Sequence, residues 1–377
     1  MPVISRRTVI SITARSVCPY DCPDACGLVV QVEKGVAVQV TGDREHPYTR
    51  GTLCPKMLHY ERTVHSPLRL TTPLKRSGEK GSGSFVPISW EEAVRETAAR
   101  WRDISSLHGS EAILPYSYAG TMGTIQRNCG HAFFHRLGAS RLDRTICAPA
   151  KDAGWRAIMG DTPAPHPSEV EKSDLVILWG INAAATSIHF LRGVQEARKR
   201  GAVVWLIETY RTPTSSVADK VVIIRPGTDG ALALGMMNVL ESRGVSDQTF
   251  ISQHVQGYEE FVTEVLPDYP PSVVSGITGL PAETVMDLAL AFGRAKAPFI
   301  RLGSGLSRYG NGAMTVRCIS ALPAVAGAYG KSGAGLFIGT STAAALAMEE
   351  VTREDFMAAP TRIINMNTLG HALNEVQ

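Results

Sequence analysis

Three cysteines, Cys18, Cys22 and Cys26, fall at intervals of four in the stretch SVCPYDCPDACG, and Cys54 follows in GTLCPK. The spacing is Cys-x3-Cys-x3-Cys-x27-Cys. Between the third and fourth, two β-rich runs at residues 28–32 and 36–40 flank Glu33-Lys34-Gly35, a hairpin signature with glycine in the turn. A hairpin carries the chain out and returns it, so Cys54 can meet the other three. Three chemistries compete for such a set. Disulfides need an oxidising compartment. A four-thiolate zinc site usually pairs two short knuckles, whereas here three ligands come from one loop. A [4Fe–4S] cubane takes one thiolate per iron, and a wrapping loop can supply three corners, so the cubane fits best. Lys56, two residues past Cys54, is either a solvated charge or a cation that offsets the cluster and bridges it to a cofactor.

A length of 377 residues exceeds what one hydrophobic core usually covers, so at least two folding units are expected. Hydrophobic residues at 44% and charged residues at 19% suit a soluble globular protein. A formal charge of +3 is too small to imply nucleic acid or an acidic membrane as partner. The paired arginines of SRRTVI at residues 5–10 resemble an export signal, but no long apolar stretch follows before Cys18. There is no apolar run of about 18 residues, so no membrane span is expected. The chain therefore reads as cytoplasmic, where thiols stay reduced, and the clustered cysteines read as metal ligands.

Beyond the cysteines the patterns are those of an α/β protein. Residues 67–84 are rich in Pro, Lys and Gly and read as a linker. ISWEEAVRETAARWRDI opens a helix with a capping box of Ser89 and Glu92. Its apolar positions, Ala93, Val94, Thr97, Ala98, Trp101 and Ile104, predict a core-facing stripe. EAILPYSYAG reads as a short strand, and TIQRNCGHAFFHRLG as a helix ending at Gly138. DLVILWGIN and AVVWLIE are continuous apolar strands covered on both faces, joined by a helix that stops at Gly201. They form a βαβ unit, which binds ligands at its strand C-termini. Gly180, Asn182, Glu208 and Thr209-Tyr210-Arg211 thus face one crevice. No Gly-x-Gly-x-x-Gly opens the helix, so NAD is not favoured and a nucleotide bound differently is expected. A third strand at 221–224 enters RPGTDGALALGMMNVL, where residues 225–229 form a loop before a helix. A strand and Gly-rich loop follow in APFIRLGSGLSRYGNG, with a second Gly-rich loop in GAYGKSGAG.

Taken together, CPYDCPDACG, RGTLCPK, ISWEEA, LVILWGIN, RPGTDGALALG and GKSGAG resemble the molybdopterin oxidoreductase family, of the dimethyl sulfoxide reductase type. The resemblance implies a small β-rich iron–sulfur domain at residues 11–66, then α/β domains over 67–377 with a Rossmann-like parallel sheet at about 145–335. It implies a [4Fe–4S] cluster and two molybdopterin guanine dinucleotides that chelate Mo or W. By the same resemblance Trp179, Gly180, Asn182, Glu208, Arg211, Pro226, Gly227, Thr228 and Asp229 sit at one dinucleotide. Gly303, Gly305 and the loop at 330–335 lie near the other pterin or the metal, and Lys56 lies between cluster and pterin.

The family's metal usually takes one further ligand from the protein, and LDRTICAPAKDAGW supplies Cys147 for it; the competing reading is a buried core cysteine. Cys129 and Cys318 lie inside helical patterns and read as core, and His131 and His135 share a helix face without a third ligand. Glu208 stands where the family more often has Asp, and family members continue well past TRIINMNTLGHALNEVQ. The expected function is a Mo- or W-dependent oxidoreductase acting on a small molecule, served by a ferredoxin-like or cytochrome redox partner. Either the chain is a fragment or truncated gene product, or a second chain supplies the missing domains. The alternatives are a non-catalytic cluster-binding fragment and a four-thiolate zinc domain fused to a nucleotide-binding enzyme.

Overall fold

The computed structural model describes residues 11–20, 22–118, 123–339 and 346–375. The paired-arginine stretch and the last two residues of EAILPYSYAG lie outside them. In chain order the strands are β1 (Ser11–Val17), β2 (Gly27–Glu33), β3 (Val36–Gly42), β4 (Leu74–Arg76), β5 (Phe85–Pro87), β6 (Arg141–Asp143), β7 (Leu175–Trp179), β8 (Val203–Glu208), β9 (Lys220–Ile223), β10 (Pro298–Leu302), β11 (Gly335–Phe337) and β12 (Ile363–Asn365). The helices used below are α1 (Trp90–His108), α2 (Thr124–Asn128), α3 (His131–Leu137), α4 (Ala148–Met159), α5 (Ile188–Lys199), α6 (Asp229–Ser242), α7 (Pro271–Thr278), α8 (Ala282–Arg294) and α9 (Gly312–Val325). Two compact units result. One draws on the described residues of 1–21, 25–144 and 346–377, the other on 22–24 and 145–345.

The first unit opens with the antiparallel sheet β1-β2-β3. Lys34 and Gly35, at φ 52° and 81°, make the turn of the expected hairpin, since two left-handed residues match the twist of the strands they join. The presumed linker carries a small hairpin, β4 paired with β5, so it is not wholly irregular. Helix α1 starts where the capping box places it, with the Ser89 hydroxyl accepting from the Glu92 amide at 3.0 Å. Its apolar stripe is not core-facing as expected: none of its residues is buried, and Trp90 and Val94 are 69% and 64% exposed. Trp101 alone finds aromatic neighbours, Phe133 and Phe134 of α3. The expected strand at 111–120 is a short 3-10 turn, Ser110–Ala112, and irregular chain over its described part. The second expected helix is broken into α2 and α3, and Gly138 caps the latter in the left-handed region. β6 and β12 pair in parallel across the sequence, Ile363 opposite Arg141.

The second unit is a five-stranded parallel sheet in the order β11-β10-β7-β8-β9. The chain builds β7, β8 and β9 outward, then returns to lay β10 on the other side of β7. The order reverses between β7 and β10, which is the switch point where such sheets open a crevice. Every residue of β7 is buried. Leu175, Ile177 and Trp179 pack with α6, α8 and α9, while Val176 and Leu178 pack with Phe190 and Val194 of α5. A strand covered on both faces has to be apolar throughout, which is why β7 reads as an unbroken run. Each large side chain so buried contributes about 1.5–3 kcal/mol. α7 and α8 would be long and apolar enough together to cross a membrane, but they bend by 112° and send Val274, Val285, Leu288 and Phe292 into this core. No single described helix is long and apolar enough to cross one. In the same unit, Asp24 meets His189 of α5, Oδ2 to Nδ1 at 2.7 Å, with both side chains buried.

The ladder continues one residue past the strands: the Gly180 amide donates to the Ile207 carbonyl and the Gly303 amide to the Trp179 carbonyl, both at 2.8 Å. A Cβ on Gly303 would overlap the Gly180 carbonyl oxygen. Gly180 itself sits at φ 60° against Leu306. Replacing Gly303 by Ala should therefore force the two strand ends apart and cost about 1–3 kcal/mol, read as a lower urea midpoint at unchanged slope. A wild-type midpoint would show that the contact relaxes freely.

Candidate cofactor site

The C-terminal ends of β7, β8 and β9 carry a set of buried polar groups. Trp179 closes β7, and its indole N–H donates to Asp229 Oδ1 at 2.9 Å. Asp229 is the first residue of α6 and is buried. Its other carboxylate oxygen, Oδ2, is buried and accepts no hydrogen bond. Burial pushes the Asp229 carboxyl above its ordinary range, and the indole bond only partly opposes this. Glu208, at the end of β8, is pushed the same way, first by burial and then by the Asp229 carboxylate, against the Thr209 amide. Tyr309 is raised by burial and by both carboxylates, so all three groups share one neighbourhood.

The turn before α6 is held from two sides. The Thr228 hydroxyl donates to the Arg225 carbonyl at 2.7 Å, and Asn311 Nδ2 donates to the Gly227 carbonyl at 3.1 Å. Gly227 lies at φ 79°, and Pro226 is exposed. After β7, the side-chain oxygen Oδ1 of Asn182 accepts from the Thr214 hydroxyl at 2.9 Å. Arg211 is exposed, but its neighbours Thr212 and Ser215 carry buried hydroxyl oxygens with no hydrogen-bond partner. Neither residue carries a motif signal in the sequence. Gly303 lacks a side chain because Gly180 requires it; Gly305, exposed in the turn that follows β10, has no such tie.

Unpartnered buried oxygens cost free energy unless a ligand or water meets them. Asp229 Oδ2 and Glu208 present acceptors, which suit the N–H edge of a base and the hydroxyls of a ribose. The residues present therefore fit a nucleotide at the ends of β7 and β8.

Cys147 precedes α4 at φ 73° and ψ −94°, a backbone state that costs a non-glycine residue about 1–3 kcal/mol. Its sulfur lies 3.8 Å from Arg308 Nη2, and it is half-buried. Cys318 is half-buried against the core with its thiol pushed up by burial, whereas Cys129 is exposed, contrary to expectation. His131 and His135 stack at 5.9 Å. His131 Nε2 meets Arg144 at 2.9 Å and His135 Nδ1 meets the Thr352 carbonyl at 2.8 Å, so both rings serve structural bonds.

In the first unit, the Cys18 amide donates to the Cys26 carbonyl at 2.8 Å, closing the loop that carries them. The Cys54 carbonyl accepts from the amides of Met57 and Leu58 at 3.0 and 3.3 Å. Cys18 and Cys54 both act on the Tyr20 phenol, which is raised chiefly by burial. Cys22 clusters with the second unit, and Lys56 is exposed. Among the described residues no three His, Cys, Asp or Glu side chains converge on one point. An all-thiolate donor set suits a cubane, which takes one thiolate at each iron.

The two raised carboxyls fix a pH dependence for the cofactor-free protein. A carboxyl that resists ionising when folded adds stability at low pH and loses it as pH rises through and above the ordinary carboxylate range. Asp229→Asn keeps the acceptor for Trp179 and removes the charge. Urea midpoints measured from about pH 4 to pH 8 should fall less steeply in Asp229→Asn than in the wild type, and still less in the double variant with Glu208→Gln. Parallel curves would contradict the assignment.

The sequence of residues 12–66 matches the molybdopterin oxidoreductase Fe4S4 domain and residues 69–372 match the molybdopterin oxidoreductase domain. The chain is 40% identical over 363 residues to the probable oxidoreductase YoaE of Bacillus subtilis (strain 168), covering 96% of this chain and 53% of the relative. It is 29% identical to the dimethyl sulfoxide reductase DmsA of Escherichia coli (strain K12), covering 84% of this chain and 44% of that protein. The fold is shared with the acetylene hydratase from Pelobacter acetylenicus, with a TM-score of 0.71 at 23% identity over 85% of this chain and 44% of that one. The chain spans about half the length of the curated relatives it matches. The iron–sulfur match decides the cysteine block for the cubane over zinc. The chain belongs to the molybdopterin oxidoreductase family of enzymes, whose two matched domains imply a [4Fe–4S] cluster and a bis-molybdopterin guanine dinucleotide centre of Mo or W.

Proposed function

We propose that the chain is the cofactor-binding part of a Mo- or W-dependent oxidoreductase that passes electrons between its metal centre and its cluster. The observation that carries this reading is the buried Asp229 carboxylate, fixed by Trp179 with one oxygen left to accept, in a chain that also bears the four cysteines. The bound cofactor supplies the two-electron change at the substrate. Asp229 and Glu208 accept hydrogen bonds from the base and ribose of one dinucleotide. Asn182, Arg211 and the turn from Pro226 to Thr228 border it, and Gly180 ends the strand beside it. Gly303 and Gly305 mark the approach of the second pterin. Cys147 offers its thiolate to the metal, and Cys18, Cys22, Cys26 and Cys54 hold the cluster. Lys56, two residues past Cys54, places a cation on the electron path. The substrate is a small molecule, and electrons are exchanged with a ferredoxin-like or cytochrome partner. Reduced thiols suit the cytoplasm.

A second reading is a non-catalytic, cluster-binding electron-transfer piece that carries the four cysteines without a metal centre of its own. Elemental analysis of anaerobically purified protein separates the two. About four iron atoms and one Mo or W per chain support the first reading, and iron without Mo or W supports the second. Cys147→Ala should keep the iron and abolish turnover; full activity would remove Cys147 from the metal.

A further inference from the structure

One turn beyond Cys147, helix α4 carries a second unusual group. Lys151 is 8% exposed, and its ammonium donates to the Ile338 carbonyl, just past β11, at 2.9 Å. An ammonium has three donors, and a neutral carbonyl satisfies one without answering the charge. Among the described residues no carboxylate lies within ion-pair distance of it. Asp152, its neighbour in α4, acts on it electrostatically but does not bond to it. A cation buried in this way is costly unless an anion approaches. Burial accordingly pushes the Lys151 ammonium below its ordinary range, and Arg301 adds to the push. Arg308, exposed, brings Nη2 to 3.8 Å from the Cys147 sulfur. Arg308 thus touches the strained Cys147, and Lys151, from a separate element, interacts with it electrostatically.

We infer that Lys151 and Arg308 form an oxyanion subsite beside Cys147, and that the substrate is a small oxyanion, inorganic or carboxylate, rather than a neutral sulfoxide or N-oxide. The inference rests on the reading that Cys147 faces the metal. Lys151 keeps its carbonyl bond and turns its remaining donors to the anion, while Arg308 contributes a planar pair of N–H groups. A phosphate of the pterin cofactor shares this chemistry, and the test separates the two sources.

The wild-type chain, Lys151→Met, Lys151→Arg and Arg308→Gln are purified anaerobically and titrated calorimetrically with sulfate and with nitrate at constant ionic strength in chloride. Fe, Mo, W and pterin are assayed in the same samples. The expected result is anion binding by the wild type that weakens about tenfold or more in Lys151→Met and in Arg308→Gln, stays near wild type in Lys151→Arg, and leaves metal and pterin contents unchanged. Equal anion affinity in all four proteins, or none in the wild type, overturns the subsite. Loss of pterin from Lys151→Met assigns the cation to a cofactor phosphate and overturns the substrate role. Should Lys151→Met fail to fold, Arg308→Gln, altered only at an exposed side chain, decides. Wild type without Mo or W would count against the proposed function, while the anion titration still judges the subsite.

Discussion

Everything at the site depends on how closely two strands leave the sheet. Gly180 and Gly303 let the ends of β7 and β10 touch backbone to backbone, so that no side chain separates them at the switch point. The sheet order then fixes what stands on each side. Glu208 and the Asp229 turn belong to the β8 and β9 side, and Arg308 and the Lys151 anchor belong to the β10 and β11 side. The helices that cover both faces leave only the strand C-termini free to receive a ligand.

The two sides differ in sign. On one, a buried and a half-buried carboxyl resist ionising; on the other, the Arg308 guanidinium meets a thiol held in a costly backbone state, with Lys151 one helical turn along. Such a division suits a cofactor with a nucleotide at one end and a reacting centre at the other, because each end meets groups of matching chemistry. Each unmatched group on its own is destabilising, and the unit tolerates them because its two apolar cores are large and continuous.

Local signals were the legible ones. The hairpin at Lys34-Gly35, the Ser89 cap, and the apolar runs of β7 and β8 each follow from a few consecutive residues. The direction in which α1 presents its stripe was not legible, because periodicity marks an apolar face without saying what covers it. Nor could short-range reading find the Asp24–His189 pair, the idle hydroxyls of Thr212 and Ser215, or the carbonyl that holds Lys151. Those depend on partners far away in sequence. Asp229 was found by its motif, yet the open oxygen that gives it meaning belongs to the folded state alone. Cys129 misled because a cysteine within a helical pattern is most often core, and the break between α2 and α3 turned it outward.

The parallel pairing of β6 with β12 has a consequence for synthesis. Ile363 is the partner of Arg141, and the whole five-stranded sheet is encoded between them. A ribosome therefore releases every strand of the larger unit before it releases the strand that β6 awaits. The larger sheet can mature while β6 still lacks its partner strand.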